Sequence, residues 1–366
     1  MTKKIIHITI DNKKLDARPN QTILQAAREH GIYIPSLCAM EHLASYGACR
    51  LCIVEVDGLR GFPTSCTTPV EEGMVIRTDT MEVRGLRQEV LKLLLSEHPA
   101  SCLFCGEKEE CKQYMGTIRK VGVTTGCRYC PNDLRCELQQ IAENIGLTET
   151  PYPVYYKNFP VEKYDPFYDR DYNLCILCGR CVRVCSDVRL NGTLSFKQRG
   201  RLTTIGPAFD RSHIEAGCEF CGACVTVCPT GTLSAKVSKW YGKPESQIGT
   251  TCNYCAMGCR LILQTTKTDV IDALPDYNSP IEHGLICVKG RFGITEYVHS
   301  PLRYGVPKEM TSVGYNDINW EDALGKAASK LANLKPDECL FVISPQLLNE
   351  DLFIAQKFIR QLNGSE

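Results

Sequence analysis

The amino-acid sequence predicts a multidomain α+β chain whose small domains are each built around a group of cysteines. Of the 366 residues, 23 are cysteine, and all except Cys339 stand in groups with short, regular spacing. Between the groups, strand-like alternation gives way to helical periodicity and back again. Each of these small domains would have a thin apolar core, so metal ligation must supply part of the folding energy.

Composition argues against several classes of function. The chain has 42 Lys and Arg against 42 Asp and Glu, which gives no reason to expect nucleic acid or an anionic membrane surface as a partner. The start of the chain is too polar for a secretory signal. The apolar stretches fall far short of the roughly 18 residues that a membrane-spanning helix requires. We therefore expect a cytoplasmic protein, either free or in a membrane-associated complex.

Residues 1–80 are predicted to form a small β-rich domain. Alternation predicts strands over Lys4–Ile10 and Lys13–Ala17, joined by a turn. Helical spacing follows over Thr22–Glu29. Further strands are expected around Ile53–Val56 and Val75–Thr78, on either side of a loop that carries cysteine.

Four cysteines of this domain are spaced by ten, two and thirteen residues: Cys38, Cys49, Cys52 and Cys66. Thiolate sets of this kind hold iron–sulfur clusters, and the spacing differs from that of plant-type ferredoxins. Gly47 lies just before the second of these cysteines. Backbone must pass close to a cluster sulfide there, and a Cβ would obstruct it, so Gly47 is a predicted cofactor-binding residue.

Residues 81–147 are predicted to be mainly helical. Met81–Glu97 carries apolar residues on one helical face, namely Val83, Leu86, Val90, Leu93 and Leu94. His98-Pro99 ends this helix, and a first triplet follows with the form Cys102-x2-Cys105-x5-Cys111. A histidine at a helix end can be a C-cap, but its fixed distance from three cysteines favours ligation.

A second triplet of the same form begins 25 residues after the first and contains Cys127, Cys130 and Cys136. The duplication predicts an additional cluster, although only three thiolates are offered. The fourth ligand could be a nearby carboxylate or amide, a distant histidine, or a cysteine exchanged between the triplets. A zinc site with Asp or His as its fourth ligand is the alternative.

Residues 148–240 begin with a connector rich in Pro and Tyr and then contain two runs of Cys-x2-Cys-x2-Cys-x3-Cys. In this bacterial ferredoxin arrangement the fourth cysteine of each run ligates the other cluster. We therefore assign one [4Fe–4S] cluster to Cys175, Cys178, Cys181 and Cys228, and another to Cys218, Cys221, Cys224 and Cys185. Gly179 and Gly222 permit compact loops whose N–H groups point at the sulfides. A hairpin is expected between the runs.

Residues 241–303 contain the last group, which comprises Cys252, Cys255, Cys259 and Cys287. The resemblance described below implies short strands at Leu261–Gln264 and Val270–Ala273 and a short α/β tail over residues 304–366. Cys339 has no partner at ligand spacing and lies in an apolar stretch, so we expect it to behave as a small hydrophobic residue.

Disulfide bonds or structural zinc could also account for a high cysteine content, but both fit this sequence less well. A disulfide scaffold requires an oxidising compartment and is usually short and secreted. Structural zinc uses separated cysteine pairs, and it does not call for the four-cysteine ferredoxin run followed by Pro229.

Taken in order, these motifs resemble the large iron–sulfur subunit of NADH:quinone oxidoreductase (complex I) and the amino half of NAD-linked formate dehydrogenase α subunits. The resemblance implies a β-grasp ferredoxin domain with one [2Fe–2S] cluster at the first group. It also implies a [4Fe–4S] cluster held by His98 and the first triplet. The sequence departs from the family there, because the Glu-Leu-Gln that usually follows the last cysteine comes after Cys136 instead.

The last two segments resemble molybdopterin oxidoreductases. Residues 241–303 are similar to the [4Fe–4S] domain that opens those enzymes, where the lysine matching Lys289 lies between cluster and pterin. Residues 304–366 are similar to the first α/β units of the molybdopterin domain, and we expect a truncated remnant of it that binds no molybdopterin. In total the resemblance implies one [2Fe–2S] cluster and four [4Fe–4S] clusters, with a fifth [4Fe–4S] or zinc at the second triplet.

The predicted function is that of an iron–sulfur relay subunit in an oxidoreductase complex, without a substrate site of its own. No Gly-x-Gly-x-x-Gly follows a strand and no phosphate loop is present, so we expect neither NAD nor flavin in this chain. The resemblance implies a flavin-containing NADH-oxidising subunit and a small [2Fe–2S] subunit as partners, together with a catalytic or electron-bifurcating module. The alternatives are a formate dehydrogenase-type molybdopterin subunit, or its split amino half, and a zinc-rich structural or nucleic-acid-binding chain.

Overall fold

The computed structural model describes residues 5–114, 123–301, 305–335, 338–344 and 347–362. The chain divides into two compact units, Met1–Pro244 and Glu245–Glu366. The predicted domains of residues 1–240 all fall within the first unit, and the last cysteine group and the tail fall within the second.

A four-stranded mixed sheet begins the first unit. Its strands are β1 (Ile6–Ile10), β2 (Lys13–Ala17), β3 (Glu55–Val56) and β4 (Val75–Arg77). The order is β2-β1-β4-β3, with β1 and β4 parallel and the other pairs antiparallel. The predicted β1–β2 hairpin is therefore present.

The first helix, α1 (Ile23–Glu29), covers this sheet. It begins at Thr22, whose side chain and that of Gln25 form a capping box. The buried helix residues pack with the apolar side chains of the strands, and Cys52 and Cys66 belong to the same core. The ligand loop is thus anchored in the interior of the domain.

The long helix α2 (Met81–Leu95) begins at Thr80 and ends two residues before the predicted boundary. The prediction of its buried face was partly wrong, because Leu86 and Leu93 are 41% and 58% exposed. The buried stripe is instead Val83, Arg87, Leu91 and Leu95.

Arg87 explains this difference. Its guanidinium donates to the carbonyls of Leu51 (3.0 Å) and Ile53 (2.8 Å), which flank the third cysteine of the first group. A buried arginine is stable only when its donors are satisfied, and these carbonyls come from a distant loop. The face of α2 that carries Arg87 is therefore turned toward the loop. A pattern of apolar residues cannot predict this polar contact.

The other described elements of the first unit are short and hold the loops in place. The helices are α3 (Glu137–Asn144), α4 (Arg180–Arg183) and α5 (Ala223–Thr226). The strand pairs are β5 (Tyr168–Arg170) with β8 (Leu233–Ala235), and β6 (Ser195–Lys197) with β7 (Thr204–Gly206), both antiparallel. The β6–β7 pair is the hairpin expected between the ferredoxin runs. Single 3₁₀ turns lie at Ser101–Leu103, Glu110–Tyr114, Cys127–Tyr129, Tyr172–Leu174, Gly200–Leu202 and Ala208–Asp210, and a π turn at Val184–Val188.

The second unit opens with a three-stranded antiparallel sheet of order β11-β10-β9. Its strands are β9 (Ser246–Thr251), β10 (Arg260–Thr265) and β11 (Val270–Pro275). The sequence predicts β10 and β11 but not β9, because all six residues of β9 are exposed and give no alternating apolar pattern.

The remaining elements of the second unit follow in order. They are a π turn at Lys289–Gly293, α6 (Ile294–His299), the hairpin of β12 (Lys308–Thr311) and β13 (Gly314–Asp317), α7 (Trp320–Ala332) and α8 (Asn349–Gln361). Across the described parts of the chain, helices long and apolar enough to cross a membrane are absent.

Candidate iron–sulfur centres

The four cysteines of the first group are free thiols, are all buried, and are connected to one another by hydrogen bonds. The N–H of Cys49 donates to Sγ of Cys38 at 3.4 Å, and the N–H of Leu37 donates to Sγ of Cys49 at 3.4 Å. Hydrogen bonds from the thiols of Cys49 and Cys66 lower the pKa of Cys38 to about 2. A hydrogen bond from Cys66 likewise lowers the pKa of Cys52 to about 7. The same hydrogen bonds raise the pKa of their donors, Cys49 and Cys66. The network therefore favours thiolate, the form that binds iron, at Cys38 and Cys52 only.

Gly47 has a φ of +68°, a backbone conformation that residues other than glycine rarely adopt. A Cβ at this position would lie 3.3 Å from the methyl carbon of Thr67. Backbone conformation and the nearby Thr67 both favour glycine at this position, and its predicted place beside a cluster stays a prediction.

The two ferredoxin runs enclose two cavities. The first is lined by Cys175, Cys178, Cys181 and Cys228 of the first predicted set. The second is lined by Cys185, Cys218, Cys221 and Cys224 of the other predicted set. In both cavities the fourth cysteine comes from the opposite run, as the ferredoxin pattern predicts, and Cys224 also borders the first cavity.

Thiols around the first of these cavities lie in an apolar setting. Burial raises the pKa of Cys175 to about 11 and that of Cys178 to about 12, with the nearby Cys228 contributing to both. Backbone N–H groups of Leu177 and Arg180 oppose these shifts. Such N–H groups would stabilise an anionic thiolate and cluster sulfides.

Each ferredoxin loop contains a glycine with a left-handed backbone conformation. Gly179 and Gly222 have φ values of +71° and +73° and immediately precede α4 and α5. A Cβ on Gly179 would lie 3.2 Å from Cζ of Phe196 and 3.6 Å from Cε1 of Tyr46. Conformation and space both favour glycine at Gly179.

The two cysteine triplets differ in burial. In the first triplet Cys105 is exposed, and Cys102 and Cys111 are half-buried. In the second triplet Cys130 and Cys136 are buried. Burial raises the pKa of Cys127, with the nearby thiols of Cys136 and Cys102 adding to the shift.

The triplets also lie close to each other. A Cβ on Gly126 would be 2.6 Å from Sγ of Cys102, so the start of the first triplet touches the start of the second. Burial raises the pKa of Cys136 to about 12, and Cys228 of the ferredoxin runs is among its charged neighbours. The second triplet therefore lies between the first triplet and the ferredoxin region.

His98 is 6% exposed. Its Nδ1 lies 3.1 Å from the carbonyl oxygen of Leu174. Burial lowers the pKa of His98 to about 4, with the Lys157 ammonium contributing and the Leu174 hydrogen bond opposing. The imidazole is therefore neutral at physiological pH, as a metal ligand must be.

In the second unit, Cys252 is buried, Cys259 is half-buried, and Cys255 and Cys287 are exposed. Burial raises the pKa of Cys252, and the thiols of Cys287 and Cys255 lie near enough to contribute. A Cβ on Gly290 would lie 3.7 Å from Sγ of Cys252. The segment after Cys287 is thus folded back onto the first cysteine of the group.

Neighbouring residues fix that segment. Arg291 is buried and forms an ion pair with the buried Asp272 of β11. Lys289, two residues earlier, is exposed. Its place between cluster and pterin stays a prediction from the resemblance.

Two arginines that were not predicted from the sequence join separate ligand loops of the first unit. Arg183 Nη2 donates to the carbonyl of Cys38 at 2.5 Å and to that of Cys178 at 3.5 Å. Arg180 Nη2 donates to the carbonyl of Ala39 at 3.1 Å. Basic residues just after the Cys-x2-Cys-Gly loop were the available signal for these contacts.

These donor sets suit iron–sulfur clusters. Each ferredoxin set surrounds a cavity with four thiols, and the first group combines four linked thiols with N–H donors. Among the residues that the structure describes, no three His, Cys, Asp or Glu side chains converge to hold a single metal ion. That finding concerns single ions, because cluster thiolates are held apart by the iron and sulfide between them.

Comparison with known protein families agrees with the cysteine groups. A 2Fe-2S iron-sulfur cluster binding domain matches residues 3–81, and a 4Fe-4S dicluster domain matches residues 174–232. A molybdopterin oxidoreductase Fe4S4 domain matches residues 245–300. The fold and the cysteine groups thus define an iron–sulfur protein with [2Fe–2S] and [4Fe–4S] domains.

Similar proteins carry the identification further. The chain is 30% identical to the NADPH-Fe(3+) oxidoreductase subunit alpha of Geobacter sulfurreducens, over 99% of this chain and 40% of that protein. It is 29% identical to an NADH-quinone oxidoreductase subunit of Rhizobium meliloti, over 97% and 39%. A putative formate dehydrogenase of Staphylococcus aureus is 28% identical, over 98% and 38%. The chain is homologous to these oxidoreductase components, and the resemblance seen in the sequence is confirmed.

The chain spans about 40% of the length of these curated relatives. Among solved structures, a chain of an NAD+-reducing [NiFe]-hydrogenase in the H2-reduced state aligns with a TM-score of 0.50 at 24% identity. The alignment covers 64% of this chain and 89% of that chain. This likeness concerns the fold alone.

Proposed function

We propose that this chain is an electron-transfer subunit of a multisubunit NAD(P)H- or ferredoxin-linked oxidoreductase. When bound, its iron–sulfur clusters supply one-electron redox chemistry. The observation that carries the proposal is the sharing of Cys224 by the two ferredoxin cavities. One side chain therefore separates two predicted cluster sites, which is the close spacing that a relay requires.

The protein's own contribution is to hold and shield the sites. Tyr172, Leu194 and Ile205 form a buried apolar cluster that packs against Cys175, Cys181, Cys185 and Cys224. This packing keeps water away from the thiols. The buried guanidinium of Arg180 and the half-buried one of Arg183 offset the negative charge that ligation would place there.

The contacts of Arg183 support close placement of the first group and the first ferredoxin set, which a relay requires. Its guanidinium bonds a carbonyl in each ligand loop, at Cys38 and Cys178. It also lies over the ring of Tyr46, 5.2 Å from the ring centroid. Both loops are therefore tied to one charged side chain.

The proposed cofactors are one [2Fe–2S] cluster at the first group and [4Fe–4S] clusters at the two ferredoxin sets, the last group and one triplet. The remaining triplet holds a further [4Fe–4S] cluster, with zinc as the alternative. Two relatives are named for their action with NADPH or NADH, which supports a subunit that oxidises NAD(P)H as one partner. We propose that this partner contains flavin, as the sequence resemblance implies. A small [2Fe–2S] subunit and a catalytic or bifurcating module are the further partners we propose.

The test compares the isolated chain with the native complex under anaerobic conditions. NAD(P)H should leave the clusters of the isolated chain oxidised and should reduce them when the copurified flavin subunit is present. Dithionite reduction of the isolated chain is the control for intact clusters. Oxidation of NAD(P)H or formate by the isolated chain would contradict the relay proposal.

A second candidate is the amino part of a formate dehydrogenase-type molybdopterin enzyme. The match of residues 245–300 to a molybdopterin oxidoreductase domain and the Staphylococcus aureus relative favour it. Metal and pterin analysis of the native protein separates the candidates. Molybdenum or tungsten with pterin, in stoichiometric amount and accompanied by formate oxidation, would support this second candidate.

A further inference from the structure

We infer that His98 is the fourth ligand of a cluster held by the second triplet, Cys127, Cys130 and Cys136, and not by the first triplet that follows it in the sequence. The inference rests on the proposed function, since it assumes that the triplets hold clusters. It departs from the contiguous His-x3-Cys-x2-Cys-x5-Cys pattern, which pairs His98 with Cys102, Cys105 and Cys111.

The orientation of the imidazole is fixed by a distant carbonyl. Nδ1 of His98 lies 3.1 Å from the oxygen of Leu174, which is 76 positions away in the chain. A carbonyl can only accept, so Nδ1 carries the proton and the lone pair is on Nε2. Metal-binding histidines are commonly held in this way. The backbone N–H of His98 donates to the carbonyl of Leu95 at the end of α2 (3.2 Å), whereas its imidazole bonds outside its own helix.

A chain of hydrogen bonds leads from this carbonyl to the second triplet. The Leu174 oxygen also accepts from Oγ1 of Thr230, at 3.0 Å. The carbonyl of Thr230 accepts from Nδ2 of Asn132, at 3.3 Å. The N–H of Asn132 in turn donates to Sγ of Cys130, at 3.4 Å. His98 and Cys130 are thus joined by one chain of hydrogen bonds that runs through Leu174, Thr230 and Asn132.

Packing on one glycine gives an independent indication. A Cβ built on Gly231 would lie 2.3 Å from Sγ of Cys130 and 3.2 Å from Cδ1 of Leu174. The residue that orients His98 and the thiol of Cys130 therefore meet on the same surface. Only a glycine leaves room for both.

Burial also matches the imidazole with the second triplet. His98 is 6% exposed, and Cys130 and Cys136 are each 8% exposed. Cys105 of the first triplet is exposed. The turn Ser101–Leu103, which follows His98, packs against the turn Cys127–Tyr129 and against α3. This turn carries Cys102 of the first triplet, so the two triplets are adjacent here, and the burial of Cys130 and Cys136 is what favours the second triplet.

The test is a double-substitution series on the full chain, with iron and sulfide per chain measured after anaerobic purification. His98→Ala should remove one cluster. Adding Cys130→Ser to His98→Ala should remove no more iron, because both side chains serve one cluster. Adding Cys105→Ser, the matched control, should remove as much iron as it does in the wild-type chain.

The opposite pattern, in which Cys105→Ser adds nothing and Cys130→Ser removes a further cluster, would overturn the inference. The inference would also be overturned if the iron losses were additive in both double variants, or additive in neither. In both cases His98 would not serve the second triplet alone. A chain that binds no iron at all would instead refute the proposed function, so the two failures are distinguishable.

A second measurement does not depend on how well His98→Ala folds. Pulsed EPR on reduced chain containing ¹⁵N-histidine should show one cluster signal coupled to a histidine nitrogen. Cys105→Ser should retain that coupling and Cys130→Ser should abolish it. Retention in Cys130→Ser with loss in Cys105→Ser would assign His98 to the first triplet.

Discussion

Arg180 and Glu137 form a bidentate ion pair, with Nη1–Oε1 at 2.6 Å and Nη2–Oε2 at 2.9 Å. Arg180 begins α4 in the first ferredoxin loop, and Glu137 is the first residue of α3, directly after Cys136. Paired forks of this kind fix geometry as well as charge. The pair therefore ties the first ferredoxin set to the second triplet.

Removing the carboxylate should destabilise the protein, because it leaves a buried guanidinium without its charge partner. Glu137→Gln should cost about 1–2 kcal/mol, a value reduced for screening because the glutamate side chain is 43% exposed. Glu143→Gln, on an exposed position of the same helix, is the matched control and should cost less than about 0.5 kcal/mol. Chemical denaturation of the anaerobic protein measures both. Equal effects of the two substitutions would show that the ion pair contributes nothing.

Arg183 should raise the reduction potential of the first group's cluster. Its positive charge lies at the carbonyl of Cys38, so replacing it with a neutral side chain disfavours addition of an electron. Arg183→Met should lower the potential by about 60 mV, which is about tenfold in a one-electron equilibrium. The exposed Arg199→Met is the control and should leave the potential unchanged. A redox titration followed by EPR would refute this role if both variants match the wild type.

Gly179 should be less tolerant of substitution than a glycine with the same backbone conformation elsewhere. In Gly179→Ala the alanine must adopt a φ of +71°, and its Cβ would lie 3.2 Å from a ring carbon of Phe196. Gly146→Ala meets a φ of +69° with no atom within 4 Å, so it should lose only about 1–2 kcal/mol from backbone strain. Thermal unfolding should rank Gly179→Ala as the less stable variant, and iron analysis should show cluster loss in that variant alone. The reverse ranking would mean that the ring contact is harmless.

His98→Cys should keep its cluster and lower its reduction potential. A thiolate adds a negative charge where the neutral imidazole has none, so the reduced state becomes harder to form, in line with the higher potentials of histidine-ligated Rieske centres. The expected shift is on the order of 100 mV or more, given the range that ligand type produces. EPR-monitored titration provides the value. An unchanged potential and spectrum would mean that His98 does not bind iron.

The cysteine sets were predictable because ligand spacing is a local property of the sequence. The two ferredoxin cavities gather the sets that the Cys-x2-Cys-x2-Cys-x3-Cys pattern predicts, including the exchanged Cys185 and Cys228. The β1–β2 and β6–β7 hairpins were predictable for the same reason, since each depends on adjacent residues.

Contacts that join distant segments were not predictable. Arg87 lies in the buried stripe of α2 only because the fold brings the carbonyls of Leu51 and Ile53 to it. Arg183 looks like an ordinary helix residue until Cys38 is placed beside it. The hydrogen bond that orients His98 likewise depends on Leu174, which is remote from it in the sequence.

Anaerobic iron, sulfide and zinc analysis with Mössbauer spectroscopy tests most directly whether the cysteine groups hold iron–sulfur clusters. One [2Fe–2S] and five [4Fe–4S] clusters predict roughly 22 iron atoms per chain with no stoichiometric zinc. Cys339→Ser, which removes the one cysteine outside the groups, should leave that number unchanged. A content of roughly 18 iron with one zinc would assign zinc to one triplet. Zinc in place of iron throughout would contradict the account.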